Sequence, residues 1–374
     1  MLLSEFHSTR PRFEITQEAA LDWLAIAHAE AEASLRSLDG AAKTRFAGSI
    51  ARVLRRIACQ PDKIRKRGHS VADIGAACWD DGELYNVRTA PRGKGAEART
   101  QLFGQLVDAY FETEYSAERR SPDDLVHVSC TGYLSPNGAQ KLVARRGWGS
   151  TTRVTNAYHM GCFAAIPALR IASGFVAMAS RRVDIVHTEL CSLHFQPANH
   201  ALDQLVVQSL FADGLIRYSM TTDHGGAGLR ELAVHEQILA DSAGSMTWIA
   251  GDAGMQMTLA RDVPDRIAKG VRGFVLELFA RGGAGLEHMK RSMFAVHPGG
   301  PKIIDQVRKM LELDEAQVAE SRRVLYDFGN MSSATLPHVW MRMLADPAVP
   351  AGTIIPSLAF GPGLTMCGVL LEKR

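Results

Sequence analysis

The chain has 374 residues, 46% of them hydrophobic and 22% charged, with 42 basic against 40 acidic side chains and a formal net charge of +2. That length and apolar content suffice for one large core or two medium ones, and the near-balanced charge excludes an electrostatic nucleic-acid binder as the main role. No run reaches the roughly 18 apolar residues of a membrane helix, and the opening "MLLSEFHSTRPRFE" is too polar for a secretory signal, so a cytoplasmic protein with neither nucleic-acid nor membrane partner is expected.

In chain order, the first 120 residues carry helical patterns, "EAALDWLAIAHAEAEASLRSL" and "ARTQLFGQLVDAYFETEY", in which apolar residues recur every three or four positions. Short apolar strands then alternate with helices: "DLVHVSC", "TRVTNAY", the alanine-rich run after Cys162, "RVDIVHTEL", and "QLVVQSLFADG" leading into "LIRYSM". The same mixture returns in "SMTWIA", "DRIAKGVRGFVLELFARGG", "RSMFAVHPGGP", "IIDQVRKMLEL" and "IIPSLAFGPGLTMCGVLLE". This alternation predicts an α/β protein of two halves, residues 1–225 and 226–374, with no linker or composition shift between them.

Six cysteines, Cys59, Cys78, Cys130, Cys162, Cys191 and Cys367, form no CxxC pair and no Cys/His cluster at zinc spacing, so neither a disulfide framework nor a metal site is expected. Cys162 follows a predicted strand and opens a predicted helix, where backbone N–H groups and the helix dipole would stabilise a thiolate and lower its pKa below ~8.5. Pro167 cannot donate to the carbonyl of Phe163, so either that carbonyl stays free or the helix begins later. Read alone, Cys162 fits a small buried core residue as well as a nucleophile. A nucleophile needs a base and a second polar group around the developing charge. His297, between a β-like run and a Pro-Gly-Gly turn, and Asn330, ahead of a helix whose first turn carries Ser332 and Ser333, are candidates. Asn before Ser is also a common helix N-cap.

"GCFAAIPALRIA", "HPGGPKIIDQV", "FGNMSSA" and "AFGPGLT" stand in the order and approximate spacing of the chalcone synthase-like enzymes, the type III polyketide synthases of the thiolase superfamily. The chain resembles that family over roughly its last 215 residues, with "DKIRKRGH" the main match before them. The resemblance implies a duplicated αβαβα thiolase-like fold, a homodimer, and Cys162, His297 and Asn330 as nucleophile, base and carboxamide donor. It implies transfer of an acyl group from a thioester to Cys162, then decarboxylative Claisen condensation with malonyl units. The substrates would be acyl-CoA and malonyl-CoA, with no tightly bound cofactor. An acyl carrier protein bearing phosphopantetheine is the alternative donor.

By position, the resemblance makes Phe211 an aromatic gatekeeper and places Met257 where plant members carry a second gatekeeping phenylalanine. Trp248 stands at a position that is small in the plant enzymes and would fill part of the cavity. The loop "FGPGLT", with Gly361, Pro362 and Gly363, resembles the family's cavity-shaping turn, where Gly and Pro serve backbone geometry rather than chemistry, and Gly361 and Ser332 join the substrate-binding set. Arg55, Arg56 and Lys63 fall in the region that carries cations for the phosphates of coenzyme A, though a solvated helix face reads the same way. Other readings are a carrier-protein-dependent ketoacyl synthase III-like enzyme or acyltransferase, a papain-like cysteine hydrolase, and a non-catalytic partner subunit. The hydrolase reading lacks the CGSCW context, and a non-catalytic subunit would lack part of the triad, which is complete here.

Overall fold

The structure is a computed structural model that describes residues 1–116 and 118–374. The chain runs through β1 (Leu2–Thr9), β2 (Phe13–Thr16), α1 (Gln17–Arg36), α2 (Gly40–Ile57), β3 (Lys66–His69), α3 (Ala96–Glu114), β4 (Asp124–Ser129), α4 (Gly138–Arg145), β5 (Arg153–Tyr158), α5 (Ala165–Ala177), β6 (Arg182–Glu189), α6 (Leu202–Leu210) and β7 (Gly214–Thr221). It continues with β8 (Leu229–Ile238), β9 (Met246–Gly251), β10 (Gly254–Leu259), α7 (Val263–Arg281), β11 (Ala295–Val296), α8 (Pro301–Met310), α9 (Ala319–Phe328), α10 (Thr335–Ala345), β12 (Ile354–Gly361) and β13 (Thr365–Lys373). No helix among the described residues is long and apolar enough to cross a membrane.

Nine strands pair in the order β11-β12-β13-β8-β1-β7-β6-β4-β5. In the amino-terminal part β4 lies parallel to β5 and β6, while β7 is antiparallel to both β6 and β1. In the carboxy-terminal part β11 and β12 are parallel, and β13 is antiparallel to both β12 and β8. The two runs meet where Leu2 and Leu3 of β1 face Arg230 and Leu229 of β8. The opening segment is therefore the central strand that joins the two parts, a role that its polar sequence does not announce.

Alternate residues of the strands enter different cores, as a period of two requires. Val126 and Val128 of β4, and Ala359 and Ile355 of β12, pack in one cluster with residues of α5 and α10, so these two helices form a central layer. Leu125 of β4 points the other way, into a cluster with α1, α2, α3 and α4. Leu358 and Phe360 of β12 likewise turn outward to meet α7 and α8. The layers thus follow one another as α, β, α, β, α, the duplicated thiolase-like arrangement. The turns that feed the central helices lie between the two sheets, where side chains from both parts converge.

Candidate active site

Cys162 sits in the turn between β5 and α5. Gly161 precedes it at φ +86, and a Cβ there would stand 2.8 Å from Pro362 Cδ, so only glycine fits both the backbone and the space. The helix begins at Ala165 rather than at Cys162. Ahead of it the backbone makes tight three-residue bonds, Ala164 N to Gly161 O at 3.1 Å and Ile166 N to Phe163 O at 3.1 Å. The carbonyl that Pro167 cannot serve is taken by Ile166. The expectation that the helix opens at the sulfur is corrected accordingly, and burial pushes the Cys162 thiol up. Hydrogen bonds from Ser332 and Asn330 pull the other way but do not prevail, and the Glu189 charge adds to the rise.

His297 follows the two-residue strand β11, with its backbone N–H donating to Leu358 O at 2.7 Å. The ring is buried and neither nitrogen has a partner among the described residues. Burial brings its pKa down to about 3, so the imidazole is neutral near neutral pH, with one N–H to donate and one lone pair to accept. Asn330 is pinned by its backbone, donating to Leu210 O at 3.0 Å and accepting from Ala212 N at 2.8 Å. Its Oδ1 accepts from Ser332 N at 2.9 Å, and its Nδ2 lies 3.5 Å from Gly299 O and also reaches toward the Cys162 sulfur. The carboxamide oxygen thus caps the turn while the NH2 group remains a donor for something else, so the capping and donor readings hold together.

Ser332 stands at φ +50, a left-handed backbone uncommon for serine. Its hydroxyl lies 3.8 Å from Cys162 Sγ and 3.0 Å from Cys130 Sγ. Cys162, Ser332, Phe211, Trp248 and Met257 line one small cavity, with about 20 Å³ of solvent-accessible space, room for about one water. Asn330 adjoins it through its bond to Ser332, and the His297 loop adjoins Asn330 through Gly299. Trp248 is held by its indole N–H, which donates to Cys130 O at 2.6 Å.

Two sets of expected residues stand elsewhere. Gly361 does not line the cavity; a Cβ on it would lie 2.2 Å from Phe163 Cδ1, so its role is to let the Phe163 ring pack against β12, while its neighbour Pro362 lines the cavity. Arg55, Arg56 and Lys63 are exposed and line neither this cavity nor its larger neighbour, and Lys63 pairs with Asp62 at 3.0 Å. The departure of Gly361 has a physical reason: a motif fixes a position along the chain, whereas lining a cavity depends on side chains from distant segments.

Sequence reasoning passed over a buried polar group behind Cys162. Glu189 accepts from Cys130 N at 3.0 Å and Thr131 Oγ1 at 3.0 Å, and also from Ser333 Oγ. Ser333 Oγ in turn meets His187 Nδ1 at 2.9 Å. Burial raises the Glu189 carboxyl to about 7. Cys130 and Cys191 share the small cavity with Cys162. A signal was present: the three cysteines follow the carboxyl ends of the parallel strands β4, β5 and β6, the edge of an α/β sheet where sites form. Among the described residues no group of three or more His, Cys, Asp or Glu could hold a metal ion.

The family models for the chalcone and stilbene synthases match here, the N-terminal domain over residues 113–221 and the C-terminal domain over residues 231–373. Type III polyketide synthase C of Arabidopsis thaliana is 31% identical over 258 residues, 67% of this chain and 67% of that protein. Type III polyketide synthase A of the same plant is 29% identical, over 67% of this chain and 65% of that protein. Among solved structures, the C-terminal type III polyketide synthase domain of Steely1 from Dictyostelium superposes with a TM-score of 0.83 at 21% identity, covering 100% of this chain and 99% of that one. The fold, the order of the motifs and these relatives agree: the chain belongs to the type III polyketide synthase family and is a condensing enzyme.

Proposed function

We propose that the enzyme loads an acyl group from acyl-CoA onto Cys162 and extends it by decarboxylative Claisen condensation with malonyl-CoA. The supporting observation is the His297 ring, buried with both nitrogens unpartnered, beside a carboxamide whose NH2 reaches toward the Cys162 sulfur and Gly299 O. Buried polar groups are otherwise paired, so these donors await a ligand atom. In the first step the Cys162 sulfur attacks the thioester carbonyl as its proton passes to a His297 nitrogen, and the coenzyme A thiolate leaves and takes up that proton. The carbonyl oxygen of the incoming malonyl thioester then accepts from His297 and from Asn330 Nδ2. Carbon dioxide departs, the electron pair stays as an enolate, and its carbon attacks the acyl carbonyl on Cys162, releasing the sulfur. A donor of this kind is worth ~3 kcal/mol in the transition state.

In this reading Arg55, Arg56 and Lys63 hold coenzyme A phosphates at the surface, and residues 1–225 and 226–374 are the two thiolase-like halves of one subunit of a cytoplasmic homodimer. The gap between β7, ending at Thr221, and β8, starting at Leu229, supports that division. Exposed Tyr133 and Met178 offer apolar surface that a second copy would cover. The test supplies acyl-CoA with labelled malonyl-CoA. The expected outcome is a carbon-chain extension that vanishes in Cys162→Ala; free acid alone, without malonyl carbon, would contradict it. Extension only from carrier-protein thioesters would assign the donor to a carrier protein instead.

A further inference from the structure

The cavity around Cys162 is too small for an acyl chain, so a starter on the sulfur must extend into neighbouring space. A larger cavity, with about 80 Å³ of solvent-accessible space, lies behind a wall that both share, formed by Cys191, Phe211, Trp248 and Met257. Its sides are mostly apolar, among them Trp23, Leu24, Phe195 and Val207. Eight of its lining residues come from the first 74 positions, before the segments that match the family models, and three of them, Arg67, Gly68 and His69, lie in "DKIRKRGH".

One of those eight is Arg67, 8% exposed. Its Nε donates to Gln17 Oε1 at 2.8 Å, and its Nη1 to Gln208 O at 2.8 Å and Phe211 O at 2.7 Å. These acceptors account structurally for part of the guanidinium, since two are carbonyls at the end of α6. All of them are neutral. No carboxylate among the described residues pairs with Arg67, and Nη2 has no partner, although it is not among the sealed atoms. Burial lowers the group to about 10, still charged near neutral pH. A buried cation without a counter-ion, facing an apolar chamber, is otherwise costly.

We infer that this chamber receives the distal end of the starter chain, and that Arg67 selects starters ending in a carboxylate, the ω-carboxyacyl thioesters, over those ending in methyl. The inference rests on the acyl-Cys162 reading above. The same carboxylate chemistry could come from a free alkanoate, and the test separates the two.

Matched starters are compared in kcat/KM: adipyl-, suberyl- and sebacyl-CoA against hexanoyl-, octanoyl- and decanoyl-CoA. For at least one length the carboxylate-ended member should be favoured by about tenfold or more, as expected of a charge-assisted hydrogen bond, and the preference should vanish in Arg67→Met. Methyl-ended starters favoured at every length, or an unchanged preference in Arg67→Met, would overturn the inference. Because Arg67→Met removes bonds to α6 and could unfold the chain, a second arm keeps Arg67 intact. Octanoate and octan-1-ol are titrated calorimetrically into Cys162→Ala, which cannot condense, and octanoate should bind about tenfold tighter. Equal binding overturns the site even where no starter is extended, the result that would sink the condensation reading separately. Tighter octanoate binding without a preference among tethered starters would give the chamber to a free carboxylate and overturn its assignment to the starter.

Discussion

The strand run β4-β6-β7-β1 and the run β11-β12-β13-β8 are paired in the same senses, yet they carry different chemistry at matching stations. Just past β4 comes Cys130; just past β11 comes His297. In the turn before the central helix α5 stands Cys162, and in the turn before α10 stands Asn330. The last residue of β6 is Glu189, whereas the last residue of β12 is Gly361. One scaffold thus presents side chains at the same three edges of each half. The amino-terminal half is loaded with sulfur and acid, and the carboxy-terminal half with nitrogen donors. In the proposed reaction a site between the sheets would draw its nucleophile from one half and its donors from the other without any loop having to cross.

The widest contrast is between Glu189 and Gly361. Burial lifts the Glu189 carboxyl from an ordinary 4.5 to about 7, so between these values the folded chain holds a proton that the unfolded chain has released. Stability from this group is therefore full at low pH and falls as pH climbs through that window. Melting experiments should show the parent losing stability relative to Glu189→Gln between pH five and eight, by something on the order of 3 kcal/mol. Parallel curves would contradict the burial argument. At the matching station, Gly361→Ala would set a Cβ 2.2 Å from Phe163 Cδ1. The expected loss is about 1–3 kcal/mol by urea unfolding, because Phe163 is tied to the Cys162 turn and has little freedom to move. An unchanged midpoint would show that the ring yields.

Much of this was legible in the sequence. The motifs place Cys162, His297 and Asn330 immediately beside regular elements, and the apolar alternation marks β4, β5, β6 and β12. β1 was not legible, because Glu5 at φ +53 and a register shift between Ser4 and His7 break its period of two. The burial around Cys162 was not legible, because helix geometry follows from spacing, whereas burial depends on Ser332, Trp248, Met257 and other residues far along the chain. That Gly361 makes room for Phe163 was not legible for the same reason: this neighbour in space is remote in sequence. The chamber beyond Trp248 is built from many separate segments, and no motif announces it.

The central claim is a division of labour, with sulfur from one half carrying the acyl group and the carboxamide from the other stabilising the enolate. Asn330→Ala separates the two most directly, by measuring in one sample the acylation of Cys162 by intact-protein mass spectrometry and the release of carbon dioxide from malonyl-CoA. The account predicts that decarboxylation falls by about two to three orders of magnitude while acylation stays within severalfold of the parent. Equal loss of both steps, or decarboxylation that survives, would contradict it.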